Sequence, residues 1–134
     1  MSARHDDWDL STTSDVYVVP SSGGDPQRLT ATEGAYARPS WSSDGSSIAA
    51  YFVPGAFDDP RHARVVVVDP ASGDRSVLTE TLDRNCLPYP PIREPLWADD
   101  QLIFAIEDAG ACRCIGFPAT ALRRHRPCSN PTVG

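Results

Sequence analysis

An apolar strand, a glycine-bearing polar turn, a second strand ending in Leu-Thr and then a Pro-x-Trp block occur twice in this chain of 134 residues. The first copy runs Val16-Tyr17-Val18-Val19-Pro20, Gly23-Gly24-Asp25, Arg28-Leu29-Thr30 and Pro39-Ser40-Trp41. The second runs Val65-Val66-Val67-Val68-Asp69, Ser72-Gly73-Asp74, Val77-Leu78-Thr79 and Pro95-Leu96-Trp97. Val16 and Val65 are 49 positions apart, as are Leu29 and Leu78, whereas Trp41 and Trp97 are 56 apart, so seven extra residues lie between Thr79 and Trp97. A fixed period of about 40–50 residues made of strands alone points to a β-propeller. Such folds usually close with about 4–8 four-stranded blades, and this chain has room for little more than two.

Turn chemistry places the strands. Val16–Val19 turns through Ser21-Ser22-Gly23-Gly24 and returns over Gln27–Thr30. Arg38–Trp41 begins the next strand, and Ser42-Ser43-Asp44-Gly45 is a hairpin signal because Asp-Gly accepts the positive φ of tight turns. Ile48–Val53 returns, mostly apolar and so covered on both faces, and Val65–Val68 is a run of four β-branched residues that reads as a fully buried strand. Ser76–Thr79 follows. The hairpin then recurs as Leu96-Trp97, Ala98-Asp99-Asp100-Gln101 and Leu102–Ile106, with a further strand over Arg113–Phe117. No window carries the 3.6-residue period of a helix.

The expected fold is therefore all-β: a partial β-propeller of about two blades of four-stranded antiparallel sheets. Residues 1–13 form a polar N-terminal segment, 14–118 the propeller portion and 119–134 an irregular tail. Within the propeller portion, 14–30 is a half blade, 38–79 a full blade and 95–118 a partial blade. An arc of this kind leaves apolar sheet faces uncovered at its ends, which favours self-association through the exposed blade faces.

The formal net charge of −6 argues against a nucleic-acid or anionic-membrane partner. No apolar stretch approaches the roughly 20 residues of a membrane span. Met1–Leu10 carries Arg4, His5, Asp6, Asp7 and Asp9 without an apolar segment, unlike a secretory leader. The expected location is cytoplasmic, where thiols stay reduced. Cys86, Cys112, Cys114 and Cys128 match no paired zinc spacing and read as small buried or loop thiols.

No catalytic, cofactor-binding or metal-binding residue emerges. The nearest approach to a nucleophile elbow is Gly45-Ser46-Ser47-Ile48-Ala49, which lacks the second glycine of G-x-S-x-G and leads into a strand where the elbow needs a helix. His5 and His125 lie in charged terminal segments and His62 sits between Arg61 and Arg64, none spaced to act as a base for a serine. The acidic pairs Asp6/Asp7, Asp58/Asp59 and Asp99/Asp100 read as solvated turn residues, and Arg123–Arg126 as a solvated tail. Trp41 and Trp97 could stack a ligand, but their equivalent repeat positions assign them to blade packing.

The strand–turn–Trp blocks resemble TolB-type propeller repeats. Pro39-Ser40-Trp41-Ser42-Ser43-Asp44-Gly45 is similar to that repeat's Trp-Ser-Pro-Asp-Gly turn, with Ser43 in place of proline. Leu82-Asp83-Arg84-Asn85, Pro88-Tyr89-Pro90, Leu96-Trp97 and Glu107-Asp108 follow in an order that resembles the N-terminal propeller of acylaminoacyl-peptidase and dipeptidyl-peptidase-like enzymes of the prolyl oligopeptidase family. The likeness spans about Ser14 to Pro118. It departs from the pattern at Gln101, where a turn glycine belongs, at Ala109, where arginine often follows Glu-Asp, and in the tail Ala121–Gly134.

The resemblance implies a fragment of a larger propeller, one that caps an α/β-hydrolase domain and filters the peptides reaching its Ser-Asp-His triad. The peptide substrate would then be met only through a hydrolase domain that is missing here, and this chain alone would be no enzyme. The alternative is a TolB-like propeller scaffold that docks protein partners.

Overall fold

The computed structural model describes residues 4, 6, 9–55, 61–88 and 93–119. Within them every regular element is a strand, and the strands form three antiparallel sheets in chain order. The first sheet pairs β1 (Tyr17–Val18) with β2 (Gln27–Arg28). The second runs β3 (Gly34–Trp41), β4 (Ile48–Pro54), β5 (Arg64–Val68) and β6 (Arg75–Val77), each paired with the next. The third runs β7 (Leu96–Ala98), β8 (Gln101–Asp108) and β9 (Ala111–Pro118). The all-β expectation and the sequential antiparallel pairing are met. No closed ring of blades is formed by the described residues.

β3 starts earlier than its turn signals indicate, at Gly34 instead of Arg38. The reason is a bulge: the register shifts between Ala37 and Ser40, with Arg38 at φ 49°. The extra residue absorbs Pro39, which has no N–H to give the ladder, and lets pairing continue to Ser40↔Ala49 and Trp41↔Ile48. At the other end of β3, Gly34 is required by contact. A Cβ there would stand 2.3 Å from the Val53 carbonyl oxygen and 2.7 Å from the Phe52 ring.

The repeat seen in the sequence is repeated in hydrogen bonds. Leu29 N donates to Val16 O at 2.9 Å, and Leu78 N donates to Val65 O at the same distance. The threonine that closes each Leu-Thr pair then accepts the N–H of the same valine: Val16 N reaches Thr30 Oγ1 at 3.1 Å and Val65 N reaches Thr79 Oγ1 at 3.0 Å. Each threonine thus satisfies a buried backbone donor at a strand entry.

Packing follows from strand alternation. One face of the second sheet presents Tyr36, Ile48, Ala50, Phe52, Val66 and Val68 to Val16 and Leu29 of the first repeat. The other presents Ala49, Tyr51, Val65 and Val67 to Leu102, Phe104 and Ile106 of β8, with Trp97, Ile115 and Phe117 packed alongside. The second sheet is therefore covered on both faces, as its unbroken apolar runs anticipate. Among the described residues, the third sheet is covered on one face only. Its far side carries Leu96, Ile103, Ala105, Cys112, Cys114 and Gly116, which the register places together.

Candidate functional site

Ser46 occupies a turn whose chemistry is closed on itself. Its N–H and its hydroxyl both donate to Asp44 Oδ1, at 3.0 and 2.8 Å, and the chain runs straight into β4. No helix follows, so the serine is not held on a strand-to-helix elbow. His62 lines an open depression of about 350 Å³ with Arg61, Arg64, Glu80, Thr81, Leu82 and Asp83, and its Nδ1 lies 3.7 Å from Asp83 Oδ1. Both side chains of that pair are largely exposed, which makes it a weak, solvent-screened contact. Ser46 and His62 belong to different loops and are not brought together.

Of the acidic pairs, Asp99 and Asp100 form the exposed β7–β8 turn, with Asp99 at φ 52°. Asp6 is exposed, whereas Asp7, Asp58, Asp59, His5, His125, Cys128 and the Arg123–Arg126 run lie outside the described residues. Among the described residues, no group of three or more His, Cys, Asp or Glu side chains could hold a metal ion. Among them also, no helix is long and apolar enough to cross a membrane.

The thiols divide. Cys86 is buried in the core between the second and third sheets, its Sγ 3.7 Å from both Thr79 Oγ1 and Arg84 O. Burial pushes its thiol up, away from the reactive thiolate. Cys112 and Cys114 correct the reading of small buried or loop thiols: both are exposed, unpaired by disulfide, and stand on β9. Among the described residues no sheet lies over that face of their strand, which leaves two core-sized side chains in solvent.

Two polar clusters brace the sheets from within, one beside the first sheet and one across the second. Asp15 is buried at 0% exposure. It accepts from the Thr30 hydroxyl at 2.5 Å, from Thr32 N at 2.8 Å and from the Thr32 hydroxyl at 2.7 Å. Burial works to raise this carboxyl, but those hydrogen bonds outweigh it and hold the group below its ordinary value. The second cluster spans the sheet from β3 to β6. Tyr36 OH donates to Glu33 Oε1, Arg75 Nη1 donates to Tyr36 OH at 2.9 Å and lies 2.7 Å from Glu33 Oε1, and the guanidinium sits 4.4 Å from the Phe52 ring centre. Burial first, then the Glu33 bond, drives the Tyr36 phenol well above its usual range. Tyr51, by burial and the nearby Cys86, is pushed up to about 12. Neither phenol can serve as a base near neutrality.

The seam between the second and third sheets shows how one repeat receives the next. Trp97 Nε1 donates to Ser40 O at 3.2 Å, and Ser40 Oγ donates to Pro95 O at 2.5 Å. The seven-residue insertion closes the same seam. Asn85 Oδ1 accepts from Ala63 N and Leu87 N, at 3.2 and 3.3 Å, while Asn85 O accepts from Glu107 N at 2.8 Å and Arg84 Nε reaches Asp108 Oδ1 at 2.9 Å. Trp41 does not repeat the behaviour of Trp97. It is 50% exposed, because the strand of the first sheet that would correspond to β3 does not occur among the described residues. Trp97 thus packs between two sheets, whereas the expected packing role is corrected for Trp41. What the described residues offer functionally is surface: the Trp41 corner at one end and the outer face and edge of β7–β9 at the other. No protein-family model and no curated protein matches this sequence.

Proposed function

We propose that this chain is a non-catalytic arc of a β-propeller, serving a prolyl oligopeptidase-like serine peptidase as the part that gates peptide access to its hydrolase domain. The observation that carries the propeller reading is the pair of matching strand entries, in which Val16 and Val65 bond Leu29 and Leu78 and are closed by Thr30 and Thr79 in the same way. Successive sheets stacked face to face, with a tryptophan of one bonded to a strand of the last, are the geometry that a ring of blades propagates. The peptidase reading rests on the likeness of Leu82-Asp83-Arg84-Asn85 and Glu107-Asp108. It gains support from the way Arg84 and Asn85 tie that insertion to Asp108 and Glu107.

A gate of this kind acts by excluding substrates that are too large, so its own residues need no nucleophile. Two measurements test the reading. A fluorophosphonate probe should leave the purified chain unlabelled; stoichiometric labelling would make the chain an enzyme in its own right. The genomic sequence downstream of this locus, read in all frames, should contain a strand–G-x-S-x-G–helix block. A leader for export upstream with no such block would instead favour the second reading, a TolB-like scaffold for protein partners. That reading draws on the exposed Val19, Trp41 and Leu96, which are large apolar side chains available to a partner or to another copy.

A further inference from the structure

The open edge of β9 carries a symmetry that neither reading above uses. β8 and β9 are joined by Ala109 and Gly110, both at positive φ (50° and 76°), in the two-residue turn that closes on the pair Asp108↔Ala111. In such a hairpin the closing pair is hydrogen-bonded and every second pair after it is too. At the far end Ala119 N donates to Asp100 O at 2.7 Å, in the same phase. The odd-numbered residues of β9 therefore bond β8. Cys112, Cys114, Gly116 and Pro118 point their backbone groups away from it. β9 is the last strand of its sheet, its first four residues are exposed, and among the described residues no strand pairs with that edge.

Pro118 has no N–H, which ends the usable edge, and Gly110 in the turn begins it. Three residues with free donors and acceptors remain: Cys112, Cys114 and Gly116. Cys114 is their midpoint. We propose that two copies of this chain pair β9 to β9, antiparallel, about a two-fold axis at Cys114, extending each three-stranded sheet into one of six strands.

Only this register satisfies the whole edge. Cys112 then exchanges both hydrogen bonds with the partner's Gly116, Cys114 with the partner's Cys114, and Gly116 with the partner's Cys112. Centring the pair on Arg113 leaves Gly116 facing the turn and sets two arginines directly opposite, which is destabilising. Centring it on Ile115 brings Pro118 into the ladder and leaves the Cys112 carbonyl without a donor. With Cys114 at the axis, Arg113 faces the partner's Ile115, and its own charge is already met by Asp108, 3.6 Å away. The occupant is a second copy because the edge is complementary to itself. On the propeller reading this edge would take the fourth strand of its blade, as β5 takes β6, so pairing of β9 with a second copy and completion of that blade compete for the same donors and acceptors.

The pairing brings the two Cys114 side chains opposite one another, with Cα atoms about 5.5 Å apart, inside the range a disulfide spans. The test uses the full chain in two forms, both with Cys128→Ser. One form adds Cys112→Ser and keeps Cys114; the other adds Cys114→Ser and keeps Cys112. Each is treated with oxidised glutathione, which takes up two electrons per protein disulfide formed and leaves as two reduced glutathiones.

At micromolar protein the Cys114 form should cross-link to dimer on the order of a hundredfold faster than the Cys112 form, because a templated pair reacts at millimolar effective concentration. Equal rates in the two forms would overturn the proposal. So would a reduced wild-type chain that sediments as a monomer throughout the micromolar range. Cys114→Pro, which removes the central outward donor, should sediment as a monomer with the far-ultraviolet spectrum unchanged. Should that variant fail to fold, the comparison of the two thiol positions decides alone.

Discussion

The second and third sheets share a register and differ in what covers them. Ile48 pairs with Trp41 and Val68, and Leu102 pairs with Trp97 and Phe117, so strand for strand the two hairpins correspond. At matching places, Val65 is 0% exposed and Cys114 is open to solvent. The tryptophans reverse the contrast: Trp97 is packed against the second sheet and bonded to Ser40, while Trp41 stands half in water. A position in a repeat fixes which way a side chain faces. Whether it is buried depends on the neighbouring sheet.

The largest test of that comparison is a charge placed at the matching pair. Val65→Asp buries a carboxylate with no partner and should cost about 3–5 kcal/mol, a large share of the roughly 5–15 kcal/mol that a folded domain has. Cys114→Asp, measured in dilute reduced protein, should stay within about 0.5 kcal/mol of the wild type. Urea titration followed by circular dichroism reads both.

Next come the tryptophans. Trp97→Ala removes an indole wedged between sheets and should destabilise by about 3 kcal/mol, whereas Trp41→Ala should cost no more than about 1 kcal/mol. Equal losses in thermal or urea melts would mean that the first repeat covers Trp41 more fully than its exposure shows.

A smaller effect separates the first sheet from the second through Asp15, which has no counterpart in the second repeat, where Arg64 stands in its place. The folded carboxyl titrates below its ordinary 3.8. Its stabilisation is therefore fully present above that value and is lost as pH falls through the folded-state pKa. Asp15→Asn should cost roughly 1–2 kcal/mol near neutrality and should flatten the fall in stability below pH 4. A variant that keeps the full acid slope would assign that slope to other carboxylates.

Much of this fold was legible because its signals are local. Gly-bearing turns, a Val run and the Leu-Thr closures mark the same strands in sequence and in structure, and the shared 49-residue spacing of Val16/Val65 and Leu29/Leu78 survives as matching hydrogen bonds. The same spacing runs once more, from Val65 to Cys114, and would have announced β9 as a third copy of the strand. Its Val-to-Cys and Val-to-Gly exchanges hid it. The β3 bulge was masked by Pro39, which reads as the start of a strand and is an irregularity inside one. The two tryptophan hairpins, which the sequence presents as one recurring turn, differ in length, with six residues between Trp41 and Ile48 and four between Trp97 and Leu102, so the turn does not recur in the same form. Exposure was the part that strand signals could not give. It depends on which sheets lie next to one another, and nothing within Pro39-Ser40-Trp41 or Pro95-Leu96-Trp97 records that.

The central claim is that one sheet, covered on both sides, holds the molecule together. Amide hydrogen exchange resolved by residue tests it most directly. The account predicts the slowest exchange over Ile48–Val53 and Val65–Val68, with the Val16 and Val65 amides both protected by their threonines and the Gln27–Arg28 strand exchanging far faster. Uniform protection across all three sheets, or slowest exchange in β1 and β2, would contradict it.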